Sequence, residues 1–301
     1  MNGGGLIPSN PKNRYELMTK IMPLFGKLSL DMMYRTCGTQ INIDYTSEKD
    51  FSKKFFVANR LVPITIALFA NSGIVEKNKS DYLSYRSYTW QNTYRGGLPK
   101  IFLENMDFEK YADFGLNYPM LFIKRKDKYL DAKNKTFQNF IDGDIEKVSP
   151  NKEDVVDHLS TIFTENRLKK YIEIRSMDAC GWDCLCAGPA FFIGLLYGNL
   201  DEVFDIVKKW NINDIISAYK DSPKNGLKTI LGKKTILDWS KDLFEISKKG
   251  LINRNELNSK KQNEVKFLDH IKTIIDTSST NAEAIIAKYK KDKNFFYINE
   301  K

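Results

Sequence analysis

Residues 36–45 read Thr-Cys-Gly-Thr-Gln-Ile-Asn-Ile-Asp-Tyr, a stretch in which apolar and polar side chains alternate. Alternation with a period of two is typical of a β-strand that buries one of its faces. Gln40, Asn42 and Asp44 share the polar face of this predicted strand. The stretch therefore predicts a half-buried strand whose other face is available for polar contacts.

A second alternating stretch, Tyr-Ile-Glu-Ile-Arg at residues 171–175, predicts another strand. Its polar face carries Glu173 and Arg175, and if the two strands are neighbours, their polar faces form one floor. Carboxylate and amide oxygens suit Mg²⁺, and the planar guanidinium of an arginine pairs with phosphate through two hydrogen bonds. The residue types leave open the alternative of an ordinary solvent-facing sheet surface.

The remaining elements follow from helix and turn signals. Ser47, followed by Asp50, predicts the start of a helix that bends near Pro63. Further predictions are a glycine turn at 95–97, a helix at 108–114, a hairpin formed by 120–124 and 128–131, and helices at 152–163, 187–197, 202–210, 235–248, 265–276 and 281–290. We therefore expect an α+β protein, with a sheet-containing catalytic portion at residues 1–186 and a helical portion at 187–301 packed on the same domain.

Composition indicates a folded protein of the cytoplasm. The 301 residues are 42% hydrophobic, which provides enough apolar material for a substantial core. The longest apolar stretches, residues 61–70 and 187–197, reach only about half of the roughly 20 residues that a membrane-spanning helix needs. The first fourteen residues contain no apolar run of signal-peptide length. We expect a cytoplasmic location and no membrane partner.

The cysteines and the net charge suggest no further class of function. Cys180, Cys184 and Cys186 are crowded, but two histidines and no paired Cys-x-x-Cys motifs do not make a zinc pattern, so we expect reduced, mostly buried thiols. The formal net charge is +9, yet the lysines are interleaved with acidic residues along the whole chain. A diffuse charge of this kind predicts a solvated surface, and we expect no nucleic-acid partner.

Several separated stretches follow one shared order and spacing. They are Pro11-Lys12-Asn13-Arg14-Tyr15-Glu16-Leu17-Met18, Leu30-Asp31-Met32-Met33-Tyr34-Arg35-Thr36-Cys37, Gln40-Ile41-Asn42-Ile43-Asp44, Ser84-Tyr85-Arg86-Ser87 with Trp90, and Tyr171-Ile172-Glu173-Ile174-Arg175 with Pro189-Ala190-Phe191. Together they resemble the glutamate–cysteine ligases of plants and many proteobacteria. The resemblance extends over almost the entire chain.

The resemblance implies a fold and an activity. The fold is the one that this family shares with glutamine synthetase, a curved antiparallel sheet that cradles the site, with helices outside. The implied substrates are L-glutamate, L-cysteine and ATP, and the implied cofactor is Mg²⁺. In the family's reaction the glutamate γ-carboxylate takes the γ-phosphate of ATP, and the cysteine amine then displaces phosphate from γ-glutamyl phosphate to give γ-glutamylcysteine, the first step of glutathione biosynthesis.

The resemblance also implies roles for residues on the predicted floor. Glu173 and Arg175 occupy the family's catalytic Glu-x-Arg strand, with Glu173 as a Mg²⁺ ligand and Arg175 as a clamp on the γ-phosphate. Gln40 and Asn42 correspond to inward positions of the neighbouring strand, close to the metal or the nucleotide.

Four further residues resemble the substrate pocket of the family. Arg14 and Arg86 occupy positions of glutamate-binding arginines, and Tyr85 and Trp90 correspond to the wall of the pocket. The alternatives are a surface arginine for Arg14, a structural ion pair for Arg86, and plain core packing for the two aromatic side chains.

The chain departs from the family pattern in three places. Leu121 stands where many relatives carry a tyrosine near the glutamate, and Ala132 stands where plant members carry one cysteine of a regulatory disulfide. The family's amino-terminal region contains a Gly-Thr-Glu-x-Glu strand that helps to hold Mg²⁺, and this chain does not contain that strand. We therefore expect an incomplete metal site, with the missing portion as a potential partner if it is encoded separately. The alternatives are an inactive or fragmentary relative that binds glutamate or nucleotide, and a related carboxylate–amine ligase with another acceptor.

Overall fold

The structure is a computed structural model that describes residues 12–145 and 147–292, except for the side chain of Asp183. Within these residues the chain divides into two units. Unit A comprises residues 12–36, 89–97, 107–145 and 147–164, and unit B comprises residues 37–88, 98–106 and 165–292. The boundary that the sequence predicted after residue 186 divides the chain differently from these two units, and it stays a prediction.

The predicted α+β class is confirmed by the elements of the described residues. The helices are α1 (Asn13–Phe25), α2 (Ser29–Arg35), α3 (Glu48–Arg60), α4 (Val62–Leu68), α5 (Tyr85–Gln91), α6 (Phe108–Leu116), α7 (Phe137–Ile141), α8 (Lys152–Ser160), α9 (Trp182–Leu185), α10 (Ala187–Ile193), α11 (Leu200–Val207), α12 (Ile212–Asn225), α13 (Ile236–Arg254), α14 (Asp269–Thr277) and α15 (Asn281–Lys291). The strands are β1 (Gly38–Ile43), β2 (Ile74–Val75), β3 (Asn78–Lys79), β4 (Gly96–Gly97), β5 (Phe122–Arg125), β6 (Lys128–Asp131), β7 (Phe163–Thr164), β8 (Asn166–Leu168), β9 (Ile172–Asp178), β10 (Ile230–Leu231) and β11 (Lys234–Thr235). No helix in these ranges is both long and apolar enough to cross a membrane.

Unit A contains the predicted hairpin. β5 and β6 pair antiparallel, with Phe122 opposite Asp131 and Arg125 opposite Lys128. An apolar cluster packs α1 against this hairpin and consists of Met18, Ile21, Met22, Met32, Trp90, Leu121, Phe122 and Phe163. The hairpin prediction is therefore confirmed, and its buried face contributes to the core of unit A.

Unit A also buries His158 in its neutral form. The Nε2 atom lies 2.8 Å from the carbonyl oxygen of Gly115 and must donate to it, so Nδ1 carries no proton. Burial lowers the pKa of His158 to about 4, and the positive charge of Arg95 acts in the same direction. Because the ring must lose its bound proton when the chain folds, acid conditions favour the unfolded state.

We expect unit A to lose stability between pH 7 and pH 5 because of His158. The unfolded pKa of histidine is about 6.5, so the stabilisation is complete above that pH and falls as the pH drops towards the folded value. The expected loss by pH 5 is about 2 kcal/mol. Unfolding midpoints of the wild type and of His158→Gln, measured at both pH values, test this prediction. An identical pH dependence in the two proteins would contradict it.

Unit B contains a three-stranded antiparallel sheet in the order β1-β9-β8. The predicted helix after Ser47 begins as expected, because the Ser47 side chain accepts a hydrogen bond from the backbone N–H of Asp50 (3.2 Å). It continues as two helices, α3 and α4, that meet at Leu61. Pro63 lies in the first turn of α4, where its missing N–H costs no helical hydrogen bond.

The region after Cys186 is mainly helical, as predicted, with two differences. Helix α12 lies in the predicted helical portion but was not among the helices whose bounds were predicted from the sequence, since its Asn, Ser and Pro residues are weak helix formers. The expectation that this whole region is helical is wrong at β10 and β11, which form a short hairpin. Gly232 makes the turn possible because its φ of +64° is readily adopted by glycine.

The expectation of reduced thiols is wrong for two of the cysteines. Cys180 and Cys184 form a disulfide, and their Cα atoms lie 5.8 Å apart. The turn that leads into α9 brings residues four apart to a distance that suits this bond. Cys37 and Cys186 have free thiols, but Cys37 is exposed and Cys186 is only partly buried, so the expectation of mostly buried thiols is wrong as well.

Candidate functional site

The predicted polar floor forms in unit B. β1 and β9 pair antiparallel, and Asn42 lies directly opposite Glu173. Gln40 and Asn42 are exposed, whereas Ile41 and Ile43 are buried. The two alternating stretches are therefore neighbours, which is the condition on which the polar floor depended, and residues from both strands share one polar face.

A β-bulge in β9 adds an acidic residue to this face. Thr39 pairs with Met177 and Ile41 pairs with Ile174, so β9 contains one residue more than β1 between these two pairs. An extra residue shifts the alternation of the strand by one position. Met177 therefore shares the apolar face with Ile174, and Asp178 lies on the polar side. Strict alternation would have placed Asp178 on the opposite face.

Glu173 lies at the centre of a cluster of cations. Its Oε2 atom accepts hydrogen bonds from Nε (3.0 Å) and Nη2 (2.7 Å) of Arg167, and its Oε1 atom accepts one from Lys169 (2.6 Å). Nε of Arg175 lies 3.4 Å from Oε2. Burial raises the pKa of Glu173, but Lys169, Arg167 and Arg175 together outweigh it and lower this pKa below its ordinary value. The carboxylate is therefore ionised, and the cluster carries more positive than negative charge.

Arg175 is buried on the floor and remains charged at neutral pH. Burial lowers its pKa to about 10, and the neighbouring positive charge of Arg167 adds to this effect. A guanidinium that is held away from water interacts strongly with an anion that reaches it. This position suits the predicted role of Arg175 at a phosphate group.

Arg86 reaches the same floor from α5. Its Nη2 atom donates to the backbone oxygen of Arg175 (2.6 Å), and its side chain is only 3% exposed. A Cβ atom at Gly38 would lie 2.5 Å from Nε of Arg86, so only glycine allows the guanidinium to lie this close to β1. The structure thus brings Arg86 and Arg175 together. Tyr85, the preceding residue, is half-buried.

The described residues do not by themselves fit a Mg²⁺ site. No group of three His, Cys, Asp or Glu side chains in the described ranges is placed to hold a metal ion. Mg²⁺ prefers a nearly octahedral shell of oxygen ligands, and both oxygens of Glu173 accept hydrogen bonds from cations. Glu173 would supply one carboxylate, and the other ligands of such a site would have to come from elsewhere.

Two of the predicted site residues belong to unit A. Arg14 lines a cleft of about 350 Å³, whose other lining residues are Lys12, Asn13, Lys124, Asp127 and Tyr129. Nε of Arg14 is buried and has no hydrogen-bond partner in the described part of the chain. Three cations and one acid give this cleft a positive character. Trp90 is 5% exposed and packs in the apolar cluster of unit A, so its predicted role in a pocket wall stays a prediction.

Two further residues of the floor, Arg167 and Lys169, were missed, although alternation in the sequence indicates them. Glu165, Arg167 and Lys169 alternate in the same way as Glu173 and Arg175, which predicts another strand with a polar face. Arg167 lies in β8, and both Arg167 and Lys169 contact Glu173. Glu165 is fully buried and accepts a hydrogen bond from Tyr219 (2.9 Å).

Comparison with known proteins decides the family. A family model described as Glutamate-cysteine ligase family 2 matches residues 5–295. The chain belongs to this family. The match confirms the resemblance that the separated sequence motifs indicated.

Relatives in glutamate-cysteine ligase family 2 include plant proteins. The chain is 38% identical over 291 residues to "Glutamate--cysteine ligase, chloroplastic" of Solanum lycopersicum, which covers 94% of this chain and 54% of the relative. It is 38% identical over 292 residues to "Glutamate--cysteine ligase A, chloroplastic" of Oryza sativa subsp. indica, which covers 94% of this chain and 58% of the relative. The chain therefore spans about half the length of the curated relatives it matches.

Leu121 and Ala132, the two positions that the resemblance predicted to depart from the family pattern, lie in unit A. Leu121 is buried in the apolar cluster of that unit, so it contributes packing where a tyrosine would contribute a hydroxyl. Ala132 is also fully buried and packs beside Phe137 and Phe140. Both replacements are apolar, and each fits an apolar neighbourhood.

Proposed function

We propose that the chain takes part in the ATP-dependent ligation of L-glutamate, through its γ-carboxylate, to L-cysteine. The product is γ-glutamylcysteine, and the reaction is the first step of glutathione biosynthesis. The observation that carries this proposal is the cationic cluster of unit B, in which Arg167, Lys169 and Arg175 surround Glu173. A surplus of buried positive charge favours an anion such as a transferring phosphoryl group. The named ligases among the relatives support the same activity.

The proposed reaction has two steps that need no protein nucleophile. An oxygen of the glutamate γ-carboxylate attacks the γ-phosphorus of ATP, the bond from that phosphorus to the bridging oxygen breaks, and ADP leaves. The cysteine nitrogen then attacks the acyl carbon of γ-glutamyl phosphate, phosphate leaves, and the nitrogen loses a proton. The protein's part is to position two small substrates and to neutralise charge.

We assign the residue roles by combining the geometry with the family resemblance. Arg175, supported by Arg167 and Lys169, meets the charge of the transferring phosphoryl group. From the family resemblance alone, Arg14 and Arg86 are each assigned to the binding of a glutamate carboxylate, and Tyr85 and Trp90 are each assigned to a pocket wall.

The nucleotide and the metal complete the proposal. Gln40 and Asn42 are exposed on the floor, and the resemblance assigns them a position close to the nucleotide or the metal. Mg²⁺ is the proposed cofactor, with Glu173 as one of its ligands. When bound with ATP it would neutralise phosphate charge.

The test is phosphate release from ATP and Mg²⁺ by the purified chain, with glutamate alone and then with glutamate and cysteine. We expect release to require both amino acids. Replacing cysteine by 2-aminobutyrate or alanine examines the acceptor, and a better rate with either would identify a related carboxylate–amine ligase. Absence of phosphate release by the folded chain in the presence of both amino acids would overturn the proposal.

One observation favours a second candidate, an inactive relative that binds glutamate or nucleotide. The described residues do not complete a metal site, although the cations for anion binding are in place. Glutamate binding by calorimetry without any phosphate release would establish this candidate.

Location and partners remain part of the proposal. We propose a cytoplasmic protein whose partners are its small-molecule substrates, whereas the relatives named above are described as chloroplastic. Fractionation of cells with an antibody against the chain would decide the location.

A further inference from the structure

The carboxylate of Asp178 is buried in unit B and is bound through both of its oxygens. Oδ2 accepts hydrogen bonds from the Ser72 hydroxyl (2.7 Å) and from the backbone N–H of Asn71 (2.8 Å). Oδ1 accepts one from the Ser84 hydroxyl (2.8 Å). Burial raises the pKa of Asp178 above its ordinary value, and the charge of Arg86 and these hydrogen bonds limit the rise. The hydrogen bonds are of the kind that an ionised carboxylate accepts.

The two hydroxyls that Asp178 orients hold the start of α5. The Ser72 hydroxyl accepts a hydrogen bond from the backbone N–H of Arg86 (3.0 Å), and the Ser84 hydroxyl accepts one from the backbone N–H of Ser87 (3.1 Å). Each hydroxyl has a single proton, and because that proton points to Asp178, the lone pairs face the helix. Hydroxyls in this position satisfy N–H groups that the first turn leaves open. Asp178 thereby fixes the backbone on both sides of the Arg86 side chain.

The other end of Arg86 is fixed by the sheet. Its guanidinium donates to the backbone oxygen of Arg175 (2.6 Å) and lies against Gly38, whose missing Cβ leaves the room it occupies. Asp178 pairs with Gly38 across the sheet. The β-bulge is what turns Asp178 to this side. Both ends of Arg86 therefore depend on the pairing of β1 with β9.

We propose that Asp178 is a positioning residue that holds Arg86 in place to bind a carboxylate of glutamate. This inference rests on the proposed function. Without the carboxylate, the hydroxyls of Ser72 and Ser84 lose their common acceptor, and the first turn of α5 loosens. A displaced Arg86 guanidinium loses the geometry of its charge-assisted hydrogen bonds to the glutamate carboxylate, so glutamate binds more weakly. The cations beside Glu173 are not bound by Asp178, so glutamate binding suffers more than ATP binding.

The test compares steady-state kinetics of Asp178→Asn with the wild type. We expect the KM for glutamate to rise on the order of tenfold or more, because an amide keeps only one acceptor oxygen for the two hydroxyls. We expect the kcat and the KM for ATP of Asp178→Asn to differ from those of the wild type by about twofold at most. Ser72→Ala and Ser84→Ala each remove one hydrogen bond to Asp178, and we expect each to raise the KM for glutamate by less than Asp178→Asn does. If Asp178→Asn does not fold, these two variants decide whether Asp178 positions Arg86.

A matched control is Asp154→Asn in unit A. Asp154 is also a buried carboxylate, which caps α8 and binds Arg125. We expect its replacement to lower the unfolding temperature without changing the KM for glutamate. An unchanged KM for glutamate in folded Asp178→Asn would overturn the positioning role. So would a rise of the ATP and glutamate KM values by the same factor.

Glutamate binding distinguishes a failure of this inference from a failure of the proposed function. If the wild type releases no phosphate, the ligase proposal fails, and glutamate titrations by calorimetry then decide the role of Asp178. Weaker binding by Asp178→Asn than by the wild type supports that role, and equal binding overturns it. A wild type that does not bind glutamate overturns both.

Discussion

Replacing Arg175 by alanine is expected to lower glutamate-dependent phosphate release from ATP about a thousandfold, the scale at which an arginine on a transferring phosphoryl group acts. Arg175 is buried beside Arg167 and Glu173, where its charge is poorly screened. Alanine removes both the charge and the planar fork of donors. Phosphate release at saturating ATP, glutamate and cysteine measures the effect, and circular dichroism shows whether the variant is folded.

Three companion variants make this result specific. Glu173→Gln removes the carboxylate that Arg167 and Lys169 hold, and we expect it to abolish turnover in the same way. Arg175→Lys keeps the charge without the fork, so its rate should lie between those of the wild type and of the alanine variant. The control is Arg254→Ala, a partly exposed arginine in an ion pair with Glu264, and it should retain turnover. Normal turnover in folded Arg175→Ala or Glu173→Gln would remove these residues from the site.

The polar floor shows how far local periodicity predicts a site. Alternation of side chains predicted both β1 and β9, and it placed Gln40 and Asn42 on the exposed face that the structure shows. The helix cap at Ser47 could be predicted as well, because a hydroxyl three residues before an acid is a local sequence signal. These features depend on neighbours within a few residues along the chain. Local sequence patterns are therefore enough to predict these features.

The bulge and the charge cluster depend on contacts that local patterns do not contain. If alternation continued through β9, residue 176 would be apolar, but Ser176 is polar and Met177 is apolar. Only the pairing with β1 shows that this irregularity is an extra residue in β9. The contact of Lys169 with Glu173 requires the turn between β8 and β9. Full burial of Asp178 arises from Asn71 and its neighbours, about a hundred residues away in the chain.

Replacing Gly250 by alanine is expected to destabilise unit B by about 3 kcal/mol or more, through overpacking against a rigid backbone. Gly250 lies in α13, which packs on the π-helical turn Gly194–Gly198. A Cβ atom at Gly250 would lie 2.1 Å from the carbonyl oxygen of Gly194 and 3.1 Å from the Cα atom of Gly198. Backbone atoms cannot rotate away as a flexible side chain can, so the two segments would have to separate.

The sign of the effect is what makes Gly250→Ala informative. Alanine is the better helix former by about 1 kcal/mol, so helix propensity alone predicts a gain in the free energy of unfolding. The control is Gly181→Ala, because among the described atoms beyond its two chain neighbours none lies within 4 Å of its Cβ position, and its φ of −66° is open to any residue. We expect the control to change stability by no more than about 0.5 kcal/mol. Urea unfolding followed by circular dichroism measures both variants. A midpoint for Gly250→Ala at or above that of the wild type would show that α13 does not pack backbone to backbone against residues 194–198.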